Sequence, residues 1–285
     1  PVSDVGTARQ TVVGALPLAY HNGSFRPIYL PNPGFFNHPM SYYLEFLALI
    51  WFFVCWGGYT WYSRNRANSR SCLSNTLDLY REDWMRVMLK RENRISDASV
   101  VGNLERNGAF FASSCLLILA GIITALGYTS EAMEIFATMP FSAVPSREIW
   151  ELRLVVLLVV FIYAFFKFTW SMRMYNFVAV MIGSAPLPDD SKTSPAAREA
   201  FARSAGNICN LAGDAFNLGL RSYYYALAVV AWFIHPVAFM AASTLVVYVL
   251  YRREFHSDAL SALRDGKVFE EAIPARADAD VKSKN

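Results

Sequence analysis

The sequence predicts an all-α protein, a polytopic transmembrane helix bundle of about four spans with a cytoplasmic amphipathic helix. Three observations lead there. Of its 285 residues, 54% are hydrophobic and 15% aromatic, with a mean hydropathy of +0.25. Only 17% are charged, against about a quarter in an ordinary soluble domain. And apolar runs recur at the length, about 20 residues, that a helix needs to cross a hydrocarbon core of about 30 Å. The same composition excludes disorder over most of the chain, because disorder needs low hydrophobicity and high net charge. Four cysteines in 285 residues are too few for a disulfide scaffold, and a net charge of +3 is too weak for a nucleic-acid footprint.

Residues 1–41 form an arm rich in proline (Pro17, Pro27, Pro31, Pro33, Pro39) with only Arg9 and Arg26 as bases. It reads as extended, irregular chain. No basic segment followed by a compact apolar stretch is visible in it, so no signal peptide is expected.

The transmembrane domain is expected over residues 42–255. Its first span, 42–62, carries one charge, Glu45, has aromatic residues at both ends and stops at Arg64 and Arg66. The second, 108–128, has no charge and several small residues, including Ala112, Ser113 and Gly121, which let helices approach closely in lipid. The third, 149–170, has Glu151 and Arg153 in its first turn and Lys167 near its end. The fourth, 222–251, has about 45 Å of helix, longer than the bilayer core, and Pro236 midway is the expected kink.

Lysine and arginine near span ends set orientation. The loop from Arg64 to Arg106 holds nine of them, whereas Thr129 to Glu148 holds one, Arg147. The first loop is therefore expected in the cytoplasm and the N-terminus in the periplasm. Four spans would then leave the C-terminus outside, against which Arg252 and Arg253 object. A re-entrant turn at His235-Pro236 would bring the tail inside. Thirty residues are too few to span twice as helices, so the simple four-span arrangement is preferred.

Between the spans, Leu77 to Asn93 reads as a helix with Leu77, Tyr80, Trp84 and Met88 on one face and Arg81, Arg86, Lys90 and Arg91 elsewhere. That is an interfacial pattern, apolar toward the headgroup boundary and basic toward anionic lipid; the alternative is an amphipathic helix packed on its own protein. Further on, Ser194 caps a helix with Pro195 in its first turn. This helix carries Asn207, Asn210, Asp214, Asn217 and Arg221 on one face, and it continues into the fourth span. The stripe is either a polar seam between helices or a solvated face, and as a seam Asp214 would pair with Arg221, Arg173 or Arg106. Residues 256–285 form a charged tail, with a short helix over Ser257 to Leu263 and a disordered composition from Ala272.

The catalytic and metal-binding patterns HxxxH, ExxH, CxxC, a P-loop, GxGxxG and GxSxG do not occur in usable context. His235 is the one histidine inside a span and reads as a hydrogen-bonded residue at the kink. Glu45 and Lys167 lie close enough to span ends to snorkel. No catalytic residue, cofactor, metal or soluble small-molecule substrate is expected.

Three stretches resemble a bacterial membrane protein family, domain of unknown function 599. They are REDWMRVMLKRENRISDASVVGNLERNGAFFASSCLLILAG (Arg81 to Gly121), FKFTWSMRMYNFVAVMIGSAP (Phe166 to Pro186) and AFNLGLRSYYYALAVVAWFIHPVAFMAASTLVVYVLYRREF (Ala215 to Phe255). The resemblance implies a multi-span membrane protein with no assigned activity. The arm and the charged tail are longer than the family implies. The expected function is that of a non-catalytic integral membrane protein of the bacterial inner membrane, an accessory or scaffolding subunit whose partners are other membrane protein subunits and lipids, with no nucleic acid. The alternative is a small transporter or channel using the stripe from Asn207 to Arg221 and His235.

Overall fold

The computed structural model describes residues 18–21, 24–27, 39–67, 72–138 and 146–266, and the chain divides into two units, residues 1–42 and 43–285. In the first, β1 (Leu18–His21) and β2 (Ser24–Pro27) pair antiparallel with His21 opposite Ser24. The arm, expected to be irregular throughout, thus contains a hairpin. Its signal is the Asn22-Gly23 dipeptide between the strands, a favoured sequence for a two-residue connection.

The rest is helical: α1 (Pro39–Ala67), α2 (Leu73–Met88), α3 (Ile95–Gly127), α4 (Thr129–Ala137), α5 (Arg147–Ser184), α6 (Pro195–Trp232), α7 (Pro236–Phe255) and α8 (Asp258–Asp265). Three stretches, Tyr42–Asn65, Ile95–Gly127 and Arg147–Ser184, are long and apolar enough to cross a membrane. The protein is an all-α bundle, as its composition predicts.

Helix α5 is the central member. It runs antiparallel to α6: Trp150 packs on Phe233 at 5.0 Å, Phe168 on Phe216 at 5.5 Å, and Ser171 Oγ donates to the Ala212 carbonyl at 2.8 Å. It runs antiparallel to α3 as well, with Asn176 donating to Glu105 and the Phe168 ring stacked on Phe111 at 5.2 Å. Close approach needs a missing side chain at Gly219, where a Cβ would lie 2.7 Å from the buried Phe168 ring. Helix α1 stands off from the others and reaches them through large side chains. Its Trp56 stacks on Tyr225 at 5.5 Å and its Phe52 lies 5.1 Å from Phe239.

The expected fourth span, 222–251, is corrected. It is the end of α6 and most of α7, folded back on each other. Arg221 of α6 reaches Glu254 of α7 at 3.3 Å, and the Trp232 and Phe239 rings stack at 4.6 Å. A single kinked helix would hold Arg221 and Glu254 about 50 Å apart. The turn is local chemistry. His235 is extended and its Nδ1 accepts from the Val237 backbone N–H at 3.2 Å, while Pro236 opens α7. Proline has no N–H to lose in a helix's first turn, and its ring blocks continuation of α6.

A second apolar cluster lies where α5 ends and α6 begins, with Met85 and Met88 of α2 against Val178, Ile182 and Cys209. Gly206 and Gly213, one heptad apart on α6, admit Glu82 and Arg81 of α2 at distances a Cβ would not allow. Arg94 closes this lobe by donating to the Ala185 and Pro186 carbonyls at 2.7 and 2.6 Å, where α5 has no helical partners for them.

Candidate functional site

The polar side chains gather at the two ends of the bundle. At the end away from the basic loop, Glu45 of α1, Arg153 of α5 and Trp232 of α6 meet. Arg153 Nη2 donates to Glu45 Oε1 at 2.7 Å, and Trp232 Nε1 donates to Glu45 Oε2 at 2.5 Å. The Arg153 guanidinium also lies 5.6 Å from the centre of the Trp232 ring. The Glu45 and Arg153 side chains are 8% and 3% exposed. Glu45, expected to snorkel, does the opposite: it is drawn inward by two donors, one of them a cation that cannot give up its proton. Sequence spacing could not show this, because the three residues come from three helices.

At the basic end a second network forms. Arg221 donates to Ser63 Oγ at 3.0 Å and to Glu254 Oε2 at 3.3 Å, and lies over the Tyr59 ring. Glu254 Oε1 in turn accepts from the Ser74 backbone N–H at 3.2 Å, one of the free donors at the start of α2. Tyr80 of α2 donates to the Leu263 carbonyl at 2.8 Å and Leu260 of α8 is buried. The last helices are therefore packed on the helix of the basic loop.

The stripe, expected as either a polar seam or a solvated face, is divided between the two. Asn207 and Asp214 are exposed, Asn210 and Asn217 are half-buried, and Arg221 is drawn into the network just described. Asp214 accepts from Ser74 Oγ at 3.3 Å, and the partner of Arg221 is Glu254, not Asp214. His235 sits at the hairpin turn, at the other end from Arg221, and is exposed. The six residues therefore do not come together.

Of the expected interfacial face, Met88 is fully buried and Leu77, Tyr80 and Trp84 are half-buried. Trp84 Nε1 donates to Asp97 at 2.7 Å, and Asp97, itself 1% exposed, also accepts from Arg91 at 2.6 Å. The alternative reading of this helix, packing on its own protein, is what the contacts show. Next to it, burial pushes the Asp78 carboxyl up to about 6, with the Asp214 charge adding to the rise and Arg81 opposing it. On α6 the hydrogen bond from Arg86 holds the Glu199 carboxyl below its ordinary range.

An apolar groove of about 490 Å³ opens between α1 and α7, lined among others by Val54, Gly58, Val247 and Tyr251. Among the described residues no three His, Cys, Asp or Glu side chains gather at metal-binding distance, and the free Cys55, Cys72, Cys115 and Cys209 are all buried.

The sequence matches a known family over residues 47–259, described as a protein of unknown function, DUF599. The chain belongs to the DUF599 family. The match takes in α2 to α7 and most of α1, and leaves outside it the arm, Glu45 and the residues beyond 259. No curated protein and no solved structure matches the chain.

Proposed function

We propose that this DUF599 protein is a non-catalytic integral membrane protein, an accessory or scaffolding subunit of a larger assembly in the bacterial inner membrane. The observation that carries the reading is the way its buried ionisable groups are used. Glu45 accepts from Arg153 and Trp232, and Glu254 accepts from Arg221, so both carboxylates tie helices to one another inside the bundle, while Nε and Nη1 of Arg153 have no partner among the described residues. Meanwhile Phe46, Ile50, Phe53 and Val54 of α1 and Leu116, Leu117 and Ile123 of α3 face outward. Polar groups that move substrates or protons at membrane depth face a cavity or a path; these hold helices together.

The same contacts support an arrangement of five crossings: α1, α3, α5, the end of α6, and α7. The tail packs on α2, so it shares a side with the basic loop, which the charge rule places in the cytoplasm. The N-terminus then lies in the periplasm. α7 offers about 24 Å of helix before Arg252. That is short of the core, and Arg252 and Arg253 are placed to snorkel.

The transporter reading needs the stripe to lead from Arg221 to His235. Asn207 and Asp214 face outward and Arg221 is closed off by Ser63 and Glu254, which disfavours it. Extraction of the tagged chain from native membranes, followed by identification of co-purifying proteins, tests the subunit reading. Stoichiometric recovery of a membrane partner is expected. Recovery of the chain alone under mild extraction would contradict it.

A further inference from the structure

We infer that the groove between α1 and α7 is a binding site for one anionic phospholipid, with an acyl chain along the groove and the headgroup at its basic end. This rests on the membrane reading above. The two helices meet at both ends of the groove: Trp51 Nε1 donates to Thr244 Oγ1 at 3.0 Å, Phe52 lies against Phe239, and Tyr62 lies 6.3 Å from Tyr251. Between these points they part, leaving about 490 Å³. Gly58 deepens the groove. Unlike Gly213 and Gly219, it has no side chain within 4 Å of where its Cβ would stand. Among the described residues none fills the space.

Volume and charge choose the occupant. From Trp51 to Tyr62 the groove runs about 16 Å along α1. A single extended acyl chain of that length is slender enough for about 490 Å³. The walls are apolar apart from tyrosine hydroxyls and Thr244, and those tyrosines, Tyr62, Tyr248 and Tyr251, stand toward the basic end. Arg252 follows Tyr248 by one turn on the same side of α7 and is exposed. An exposed cation at the end of an apolar groove, at the level where α7 leaves the apolar layer, suits a phosphate headgroup with net negative charge.

Gly58→Leu gives a clean test, because the added side chain meets open space and favours the helix. The full chain in mild detergent would be titrated with dioleoyl-phosphatidylglycerol or dioleoyl-phosphatidylcholine and read by native mass spectrometry. One phosphatidylglycerol per chain is expected, held about tenfold or more tightly than phosphatidylcholine. Gly58→Leu should lower retention of both lipids about tenfold with thermal stability unchanged or raised. Arg252→Gln should remove the preference between headgroups and keep the acyl contribution. Equal retention by wild type and Gly58→Leu would overturn the inference, as would equal affinity of wild type for the two lipids. So would a wild-type dimer that Gly58→Leu dissociates, which would make the occupant protein. Release of the chain from membranes by alkaline carbonate would overturn the membrane reading as well; resistance to it with unaltered lipid retention would overturn this inference alone.

Discussion

Glu45 gathers the carboxylate contacts that tie α1 to α5 and α6. Removing one member of a buried ion pair costs about 3–5 kcal/mol, because the other charge is left unpaired, while replacing both by apolar groups of similar volume is often neutral. Glu45→Ala should therefore cause a large loss of thermal stability in detergent, on the order of 3–5 kcal/mol. Glu45→Leu combined with Arg153→Met should regain most of it. If the double variant is as unstable as the single one, the pair is holding something beyond its own charges. Asp78 behaves in the opposite sense. Its folded value of about 6 lies above its ordinary 3.8, so the protonated acid is the form the fold favours. Its contribution to stability is fully present below 3.8 and is lost as pH rises through about 6. Asp78→Asn should stabilise the protein by on the order of 1 kcal/mol at about pH 8 and by little at about pH 4. Thermal unfolding across that range checks the sign. Neither residue's role was legible from its neighbours in sequence. Glu45 looked like a snorkelling acid near a span end because its partners lie on α5 and α6, and charge partners across helices carry no period.

Among the helices, the strongest signals were those of length and local chemistry. Ser194 with Pro195 marked the start of α6, and the Ser194 hydroxyl does accept from the Ala197 N–H at 3.2 Å. The apolar runs marked α1, α3 and α5. What misled was α6 and α7, because a uniform apolar run shows where lipid or core is met but not the direction of travel. His235-Pro236 was read as a kink, and a re-entrant turn there was set aside on length; the contacts of Arg221 with Glu254 and of Trp232 with Phe239 show a reversal. The amphipathic pattern of α2 was legible and its partner was left open between protein and headgroups, since both accept an apolar face; the contacts of Met88 and Trp84 show the packing on protein. At this scale Gly219 is the sharpest test. An alanine there places a methyl 2.7 Å from a ring that is fully buried, so α5 and α6 must separate. Overpacking of this kind costs about 1–3 kcal/mol. Gly219→Ala should lower the melting temperature clearly, and Gly58→Ala on α1 should not. Equal effects would show that the α5–α6 approach is looser than described.

For the whole molecule, the charge distribution and the hairpin have to agree. Nine lysines and arginines between residues 64 and 106 fix one side, and four crossings left Arg252 and Arg253 on the wrong one. In the proposed arrangement a fifth crossing removes the conflict without altering the charge rule, in keeping with the packing of α8 on α2. The direct test is cysteine accessibility in intact cells, in a background where the four buried native cysteines are replaced by serine. Single cysteines would stand at Lys90 in the basic loop, Glu134 in α4, His235 at the hairpin turn and Asp265 in α8, all of them exposed. Five crossings predict that an impermeant maleimide labels Glu134→Cys and His235→Cys, and reaches Lys90→Cys and Asp265→Cys only after the membrane is opened. Labelling of Asp265→Cys together with Glu134→Cys, or protection of His235→Cys alongside Lys90→Cys, would contradict it.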